Sequence, residues 1–237
     1  LEAADRLGPD PLRLYLMKEI VFGSDGDFTW ERFEEKYNVD LANNLGNLVN
    51  RVSAMAERYR GGRLVAAPVE PRLQELVARL TAEYADAMDA LAIDRACALA
   101  FQLVDAANEF IASSEPWNLA KQDAHRERLD EVLWTSTELL RVAAVLLSPM
   151  MPASGREILA RVGVSGEGLL WSRDVAIQTT GHRLVERRPA LWPRIEDQAA
   201  APVMTTKEPG VTDQPTSVPV PPQAASSTAP AEPATPA

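Results

Sequence analysis

Apolar residues recur at three- and four-residue steps through most of residues 1–162, the period of helices that each bury one face. The stretch Phe28–Tyr59 is the most telling: Phe33, Tyr37, Leu41, Leu45, Leu48, Val52 and Met55 predict one long amphipathic helix. Set among them are Asn43, Asn44, Asn47, Asn50 and Arg51. Asparagine is a mediocre helix former because its amide competes for nearby backbone groups, so this insert costs propensity that leucine or alanine would not. Something other than helix stability keeps it there. Asn47 and Arg51 lie four positions apart, share a face, and can offer an amide and a guanidinium fork to one partner.

The pattern predicts further helices on either side. Residues 1–8 read as a lead-in, and Asp10-Pro11 as an N-cap followed by proline at the first helical position, opening a short helix to Val21. Its Leu12, Leu14, Tyr15, Leu16 and Ile20 require a packing partner. Residues 23–27 form a turn cluster, and Gly61-Gly62 ends the long helix, since glycine most readily takes the left-handed conformation past a C-terminus. Helices follow over 71–90 and 93–112, the second with a core stripe of Ala96, Leu99, Ala100, Leu103, Val104, Ala107 and Phe110. Pro116 marks a break before Trp117, Asp123 can cap a fifth helix to Leu147, and 152–162 reads as a short sixth.

No strand-like alternation of any length precedes residue 163. The expected fold class is all-α, an antiparallel helix bundle with short connections. After Gly163 the periodicity dissolves, and 163–197 reads as an extension packing on the bundle, with Trp171 and Trp192 as plugs. Residues 198–237 hold half of the chain's 18 prolines and read as a disordered Pro/Ala-rich tail.

Composition narrows the function. At 46% hydrophobic and 24% charged residues the chain matches a soluble globular protein, and no apolar run is long enough to span a bilayer. A cytoplasmic location and no membrane partner are expected. The net charge of −10 argues against a strongly basic nucleic-acid binder, and DNA is not an expected partner. A local site remains open: Arg51, Arg58, Arg60 and Arg63 cluster near the end of the long helix, either as phosphate contacts or as a solvated end that suits the helix dipole.

Little in the sequence offers chemistry. Cys97 sits in an apolar helical run and reads as a small buried hydrophobe. His125 and His182 have no metal spacing, no phosphate-cradling glycine loop or nucleophile elbow is present, and Asp25-Gly26-Asp27 reads as a turn. No catalytic residue, metal or cofactor is expected in this chain. What remains is a recognition surface. Single-stranded RNA loops are read by stacking bases on aromatic rings and bonding their edges with Arg, Asn and backbone groups. Trp117, just after a proline at a helix break, can stand out of the bundle, while the amide and guanidinium of Asn47 and Arg51 match the donor and acceptor groups of a cytosine. The same residues also suit an interfacial tryptophan and a polar helix seam.

A resemblance adds weight to one side. The stretch DPLRLYLMKEIVFGSDGDFTWERFEEKYNVDLANNLGNLVNR, with AANEFIASSEPWNLAKQD and then LLSPMMP, resembles the C-terminal half of bacterial methionyl-tRNA synthetases over most of residues 1–162. In that family the corresponding helical bundle binds the CAU anticodon of methionine tRNA. The resemblance implies that Asn47, Arg51 and Trp117 read the anticodon, chiefly its cytosine, and that Asn108 lies near this site. Two positions depart from the pattern: Ala112 stands where an acidic residue is usual, and Phe110 where tyrosine is common. The HIGH and KMSKS signatures of the catalytic domain do not appear, nor does the oligonucleotide-binding fold some members carry at their C-terminus. Leu1 therefore looks like a cut just after KMSKS. The implied organisation is a stem-contact remnant over 1–27, the anticodon-binding bundle over 28–162, the extension over 163–197 and the tail over 198–237. The implied partners are methionine tRNA and the missing catalytic domain, ATP belonging to the full enzyme and this chain being inactive alone. A helical scaffold or regulatory protein without tRNA binding, or the bundle of a sister class I synthetase, are the alternatives.

Overall fold

Helix α8 (Arg126–Leu147) is the axis of the molecule: from Val132 to Leu147 every residue is buried. A helix covered on all sides must satisfy its polar groups internally. The hydroxyls of Ser136 and Thr137 do so by donating to the carbonyls of Val132 and Leu133, at 2.7 and 2.8 Å. The computed structural model describes residues 2–195, so the tail read at 198–237 lies outside the described residues.

The remaining helices are arranged around α8. In chain order they are α1 (Glu2–Leu7), α2 (Pro9–Glu19), α3 (Trp30–Lys36), α4 (Gly46–Arg60), α5 (Pro71–Asp89), α6 (Ile93–Ser114) and α7 (Pro116–Leu119) before α8, then α9 (Pro152–Arg161) and α10 (Trp171–Asp174). Helix α6 packs against α8, α5 and α2, and α9 against α8. The predicted α6 stripe, from Ala96 to Phe110, is buried throughout. The architecture is the expected antiparallel bundle, and among the described residues no helix is long and apolar enough to cross a membrane.

Several local expectations are corrected. Residues 2–7 are helical, not a lead-in, and Pro9 opens α2 after Gly8. Asp10 is not the cap of its own helix: its buried carboxylate accepts the backbone N–H of Ser154 at 2.6 Å, satisfying a free donor at the start of α9. Asp123 opens a 3-10 turn, Asp123–His125, and α8 begins beyond it. Two short antiparallel strands, β1 (Arg63–Val65) and β2 (His182–Leu184), form a minimal sheet, so a strand does precede residue 163. At three residues each they are too short to show alternation.

The long helix over Phe28–Tyr59 is also not one regular α-helix. Phe28 precedes the cap, where Thr29 Oγ1 accepts the N–H of Arg32 at 3.3 Å. Between α3 and α4 the chain forms a π-helical segment, Tyr37–Leu45. The apolar positions 33, 37, 41 and 45 explain it. A four-residue step overshoots a turn of α-helix by about 40°, so three such steps would carry Leu45 off the core face. A wider i→i+5 turn takes up that drift. Phe33, Tyr37, Leu41 and Leu45 are consequently all buried.

The extension is pinned from within the core. Glu138 and Arg141, both fully buried, form an ion pair at 2.8 Å. Arg141 also donates to the carbonyls of Asp174 and Ala176, and Glu138 accepts the N–H of Gln178 and a guanidinium N–H of Arg183. Trp134 Nε1 donates to the carbonyl of Gln178 at 2.9 Å. Trp192 is the plug that was expected, 6% exposed, whereas Trp171 is 47% exposed and stacks on Tyr84 at 5.7 Å.

Candidate functional site

The asparagines of the long helical stretch separate into two groups. Asn43 and Asn44, on the π segment, are engaged. Asn43 Oδ1 accepts from Arg194 Nε at 2.7 Å. Asn44 donates to Asp105 Oδ1 at 2.7 Å and accepts from Asn108 Nδ2 at 2.9 Å. The amide of Asn108 is thereby fixed, and its Oδ1 accepts from Arg51 Nη1 at 3.3 Å. Asn47 and Asn50 are exposed on α4, and neither side chain hydrogen-bonds to a described residue.

Arg51 is the chemically distinctive member. It is half-buried, and burial lowers its guanidinium pKa below the usual value. No carboxylate among the described residues pairs with it. A guanidinium has five N–H donors, and among the described residues Asn108 takes one. Arg51 also lines a groove of ≈ 650 Å³ with Asn50, Ala54 and Glu57 from α4 and Arg187, Arg188 and Pro189 from the extension.

Trp117 reaches the surface by a backbone device. Glu115, the C-cap of α6, has φ 45°, a left-handed conformation that costs a non-glycine residue roughly 1–2 kcal/mol. Pro116 is buried in the turn that follows, and Trp117 stands 42% exposed on α7. It meets no ring and no cation among the described residues. Strained backbone held in place often marks function. Asn108 and Trp117 share α6 as their strut, with Asn108 about 9 Å of helix before Ser114. Of the four predicted residues, a hydrogen bond joins Arg51 and Asn108, while Asn47 and Trp117 are presented separately to solvent.

Asn44, Asp105 and Arg187 take part here without the sequence pattern assigning them these roles. Asp105 sits three residues before Asn108 on one helix face, a spacing that signals a shared partner. Arg187 lies where the chain has no periodicity, and nothing in the sequence marks it. In the rest of the basic cluster, Arg60 pairs with Asp130, Arg58 lies over the Tyr59 ring, and Arg63 is exposed at the start of β1. Cys97 is fully buried, and burial pushes its thiol up to about 12. Among the described residues no group of His, Cys, Asp or Glu is placed to hold a metal ion.

Two family models match this chain. One, described as class I tRNA synthetases (M), matches residues 1–53, and the other, the anticodon binding domain of methionyl tRNA ligase, matches residues 61–203. The chain belongs to the methionyl-tRNA ligase anticodon-binding family. Its relatives include the methionine-tRNA ligase of Halalkalibacterium halodurans, 37% identical over 198 residues, which are 81% of this chain and 30% of the relative. That of Nostoc sp. is 40% identical over 161 residues, 66% of this chain and 30% of the relative. The chain therefore spans less than a third of the length of these ligases. Among solved structures, the free form of Mycobacterium tuberculosis methionyl-tRNA synthetase superposes with a TM-score of 0.74 at 28% identity, over 81% of this chain and 40% of that one. Within this methionyl-tRNA ligase portion, Asn47 and Arg51 fall in the first match and Asn108 and Trp117 in the second. The hydrogen bond from Arg51 to Asn108 thus ties the two matched regions together.

Proposed function

We propose that this chain recognises the CAU anticodon of methionine tRNA, with the cytosine as the principal base read. Trp117 offers a stacking platform. Arg51 and Asn47 bond the edge of an unstacked base, and Asn108 holds the Arg51 fork in position. Such recognition needs an exposed ring together with donors and acceptors that are not already paired within the protein. The observation that carries the proposal is Arg51: a half-buried guanidinium without a carboxylate partner among the described residues, oriented by one amide and lining an open groove. Membership in a family whose model is named for anticodon binding supports the same assignment.

Aminoacylation, with ATP and methionine as substrates, is the work of a whole ligase, of which this chain spans about 30% of the length. The chain's share is recognition energy that positions a tRNA so that a distant centre can act on its other end. Residues 28–162 carry this recognition, 1–27 belong to the region that contacts the tRNA stem, and the extension completes the surface.

The test is binding of the full chain to methionine tRNA and to the same tRNA with its anticodon cytosine replaced, for wild type and Trp117→Ala. Loss of one stacked base is expected to cost about 1–3 kcal/mol, roughly 5- to 150-fold in Kd. The replaced tRNA is expected to bind both proteins equally weakly. Equal binding in all four combinations sinks anticodon recognition and leaves a helical scaffold without a tRNA site.

A further inference from the structure

The groove beside Arg51 holds three guanidinium groups, of Arg51, Arg187 and Arg188, against one carboxylate, of Glu57. Glu157 and Glu186 on Arg188 balance the count, so what sets the groove apart in a chain of net charge −10 is how incompletely Arg51 and Arg187 are paired. The three arginines are not equivalent. Arg188 is occupied, donating to Glu157 at 2.9 Å and to Glu186 at 2.6 Å. Arg51 is oriented by Asn108. Arg187 has only a 3.9 Å ion pair with Glu57, between side chains 66% and 55% exposed, too long and too solvated to hold either.

The backbone that carries Arg187 is nevertheless fixed. Val185 N–H donates to the carbonyl of Gly62 and Glu186 N–H to that of Arg161, both at 2.7 Å, and Arg188 is tied to α9 through Glu157. Arg187 is thus an unsequestered cation between pinned neighbours. Among the described residues the groove lining contains no aromatic ring to stack a base. Two incompletely paired guanidinium groups without a stacking surface suit a phosphodiester.

We propose that this groove is a phosphate-backbone site, in which Arg187 contacts the phosphodiester of the RNA strand whose base Arg51 reads. This rests on the anticodon assignment above. It divides the labour around α4: Asn47 and Arg51, with Trp117 from α7, choose the base, and Arg187 from the extension fixes the register of the strand without choosing it.

The experiment is the salt dependence of tRNA binding by the full chain, for wild type, Arg187→Ala, Arg187→Lys and Trp117→Ala, on methionine tRNA and its cytosine-replaced form. Arg187→Ala should weaken binding to both RNAs by the same factor and reduce the slope of log Kd against log salt by about 0.7–1. Arg187→Lys should keep the wild-type slope, because a lysine also neutralises one phosphate. Trp117→Ala should keep the slope and lose the discrimination between the two RNAs. A wild-type slope for Arg187→Ala overturns the phosphate site while leaving anticodon recognition standing. A reduced slope for Arg187→Ala, with no discrimination by the wild type, supports the phosphate site and overturns the anticodon assignment. Competition by polyglutamate but not by unrelated single-stranded RNA would mark the groove as a site for acidic peptides and overturn the proposal.

Discussion

Replacing Arg141 with methionine is the sharpest test of how the extension is held. The substitution keeps the apolar stem and removes the guanidinium. Glu138 is then left fully buried, with the N–H of Gln178 at 2.8 Å and Arg183 Nη2 at 3.1 Å as its partners. The carbonyls of Asp174 and Ala176 lose donors that lay at 2.6 and 2.5 Å. Removing one member of a buried pair costs about 3–5 kcal/mol when the other charge is left uncompensated, and the loss here should lie at about 3 kcal/mol because Arg183 still pairs with Glu138 at 3.1 Å. Against a total stability of about 5–15 kcal/mol this is severe, and the urea midpoint should fall by roughly 1–3 M.

Two further measurements separate the buried charge from simple loss of packing. Glu138→Leu combined with Arg141→Met and Arg183→Met removes every charge of the buried cluster, so the triple variant should be more stable than Arg141→Met alone by more than about 1 kcal/mol. Amide exchange over residues 170–185 should accelerate in Arg141→Met more than exchange in α6, because the lost bonds lie between α8 and that segment. A loss below about 1 kcal/mol, or unchanged exchange over 170–185 in a destabilised variant, would refute the pinning role.

Two other outcomes follow from local geometry. At Gly46 an added Cβ would meet the carbonyl oxygen of Leu41 at 2.6 Å and the Trp192 ring at 3.3 Å, so Gly46→Ala should lose about 1–3 kcal/mol in thermal or urea melts. Asp174 accepts from both Arg173 and the N–H of Leu170, and the Arg173 bond above all holds its carboxyl pKa below the usual value. A depressed carboxylate adds stability above its unfolded pKa of about 3.9 that is lost as pH falls through the lower folded value. Wild type should therefore exceed Asp174→Asn in stability at neutral pH, and the difference should shrink in urea melts below about pH 4.

The bundle was legible because burying one helix face imposes a period on the sequence, and the α6 stripe shows it without interruption. Interactions that join distant parts of the chain impose no such period. Asp10, placed before a proline, has the local signature of a cap, yet it caps a helix 144 residues away. Glu138 and Arg141 look like surface charges, since nothing local reveals that α8 is covered on every side. The π segment did leave a trace, the run of four-residue steps, but a helical reading tolerates fours and threes alike. At the site, Asn47 and Arg51 stood out by spacing. Asn108 came only through family resemblance, and its bond to Arg51 is a tertiary fact that neither helix encodes alone.

The polar insert therefore has two physical roles that its composition could not separate. Asn44 ties the π segment to α6 and sets the amide of Asn108, which in turn aims Arg51. Asn43 accepts from Arg194, Asn38 from the N–H of Ile195, and the carbonyl of Pro193 from the Tyr37 hydroxyl, so the end of the extension is fastened along the same segment. The wider π turn and Gly46 admit Trp192 there, with no side chain in the way. The cost in helix propensity supports a framework that holds Arg51 in place through Asn44 and Asn108. A fork already oriented loses less freedom on binding than one that must be ordered, and that difference appears directly as affinity. Asn47 and Asn50, which bond nothing in the described chain, remain beside Arg51 as the adaptable part of the surface.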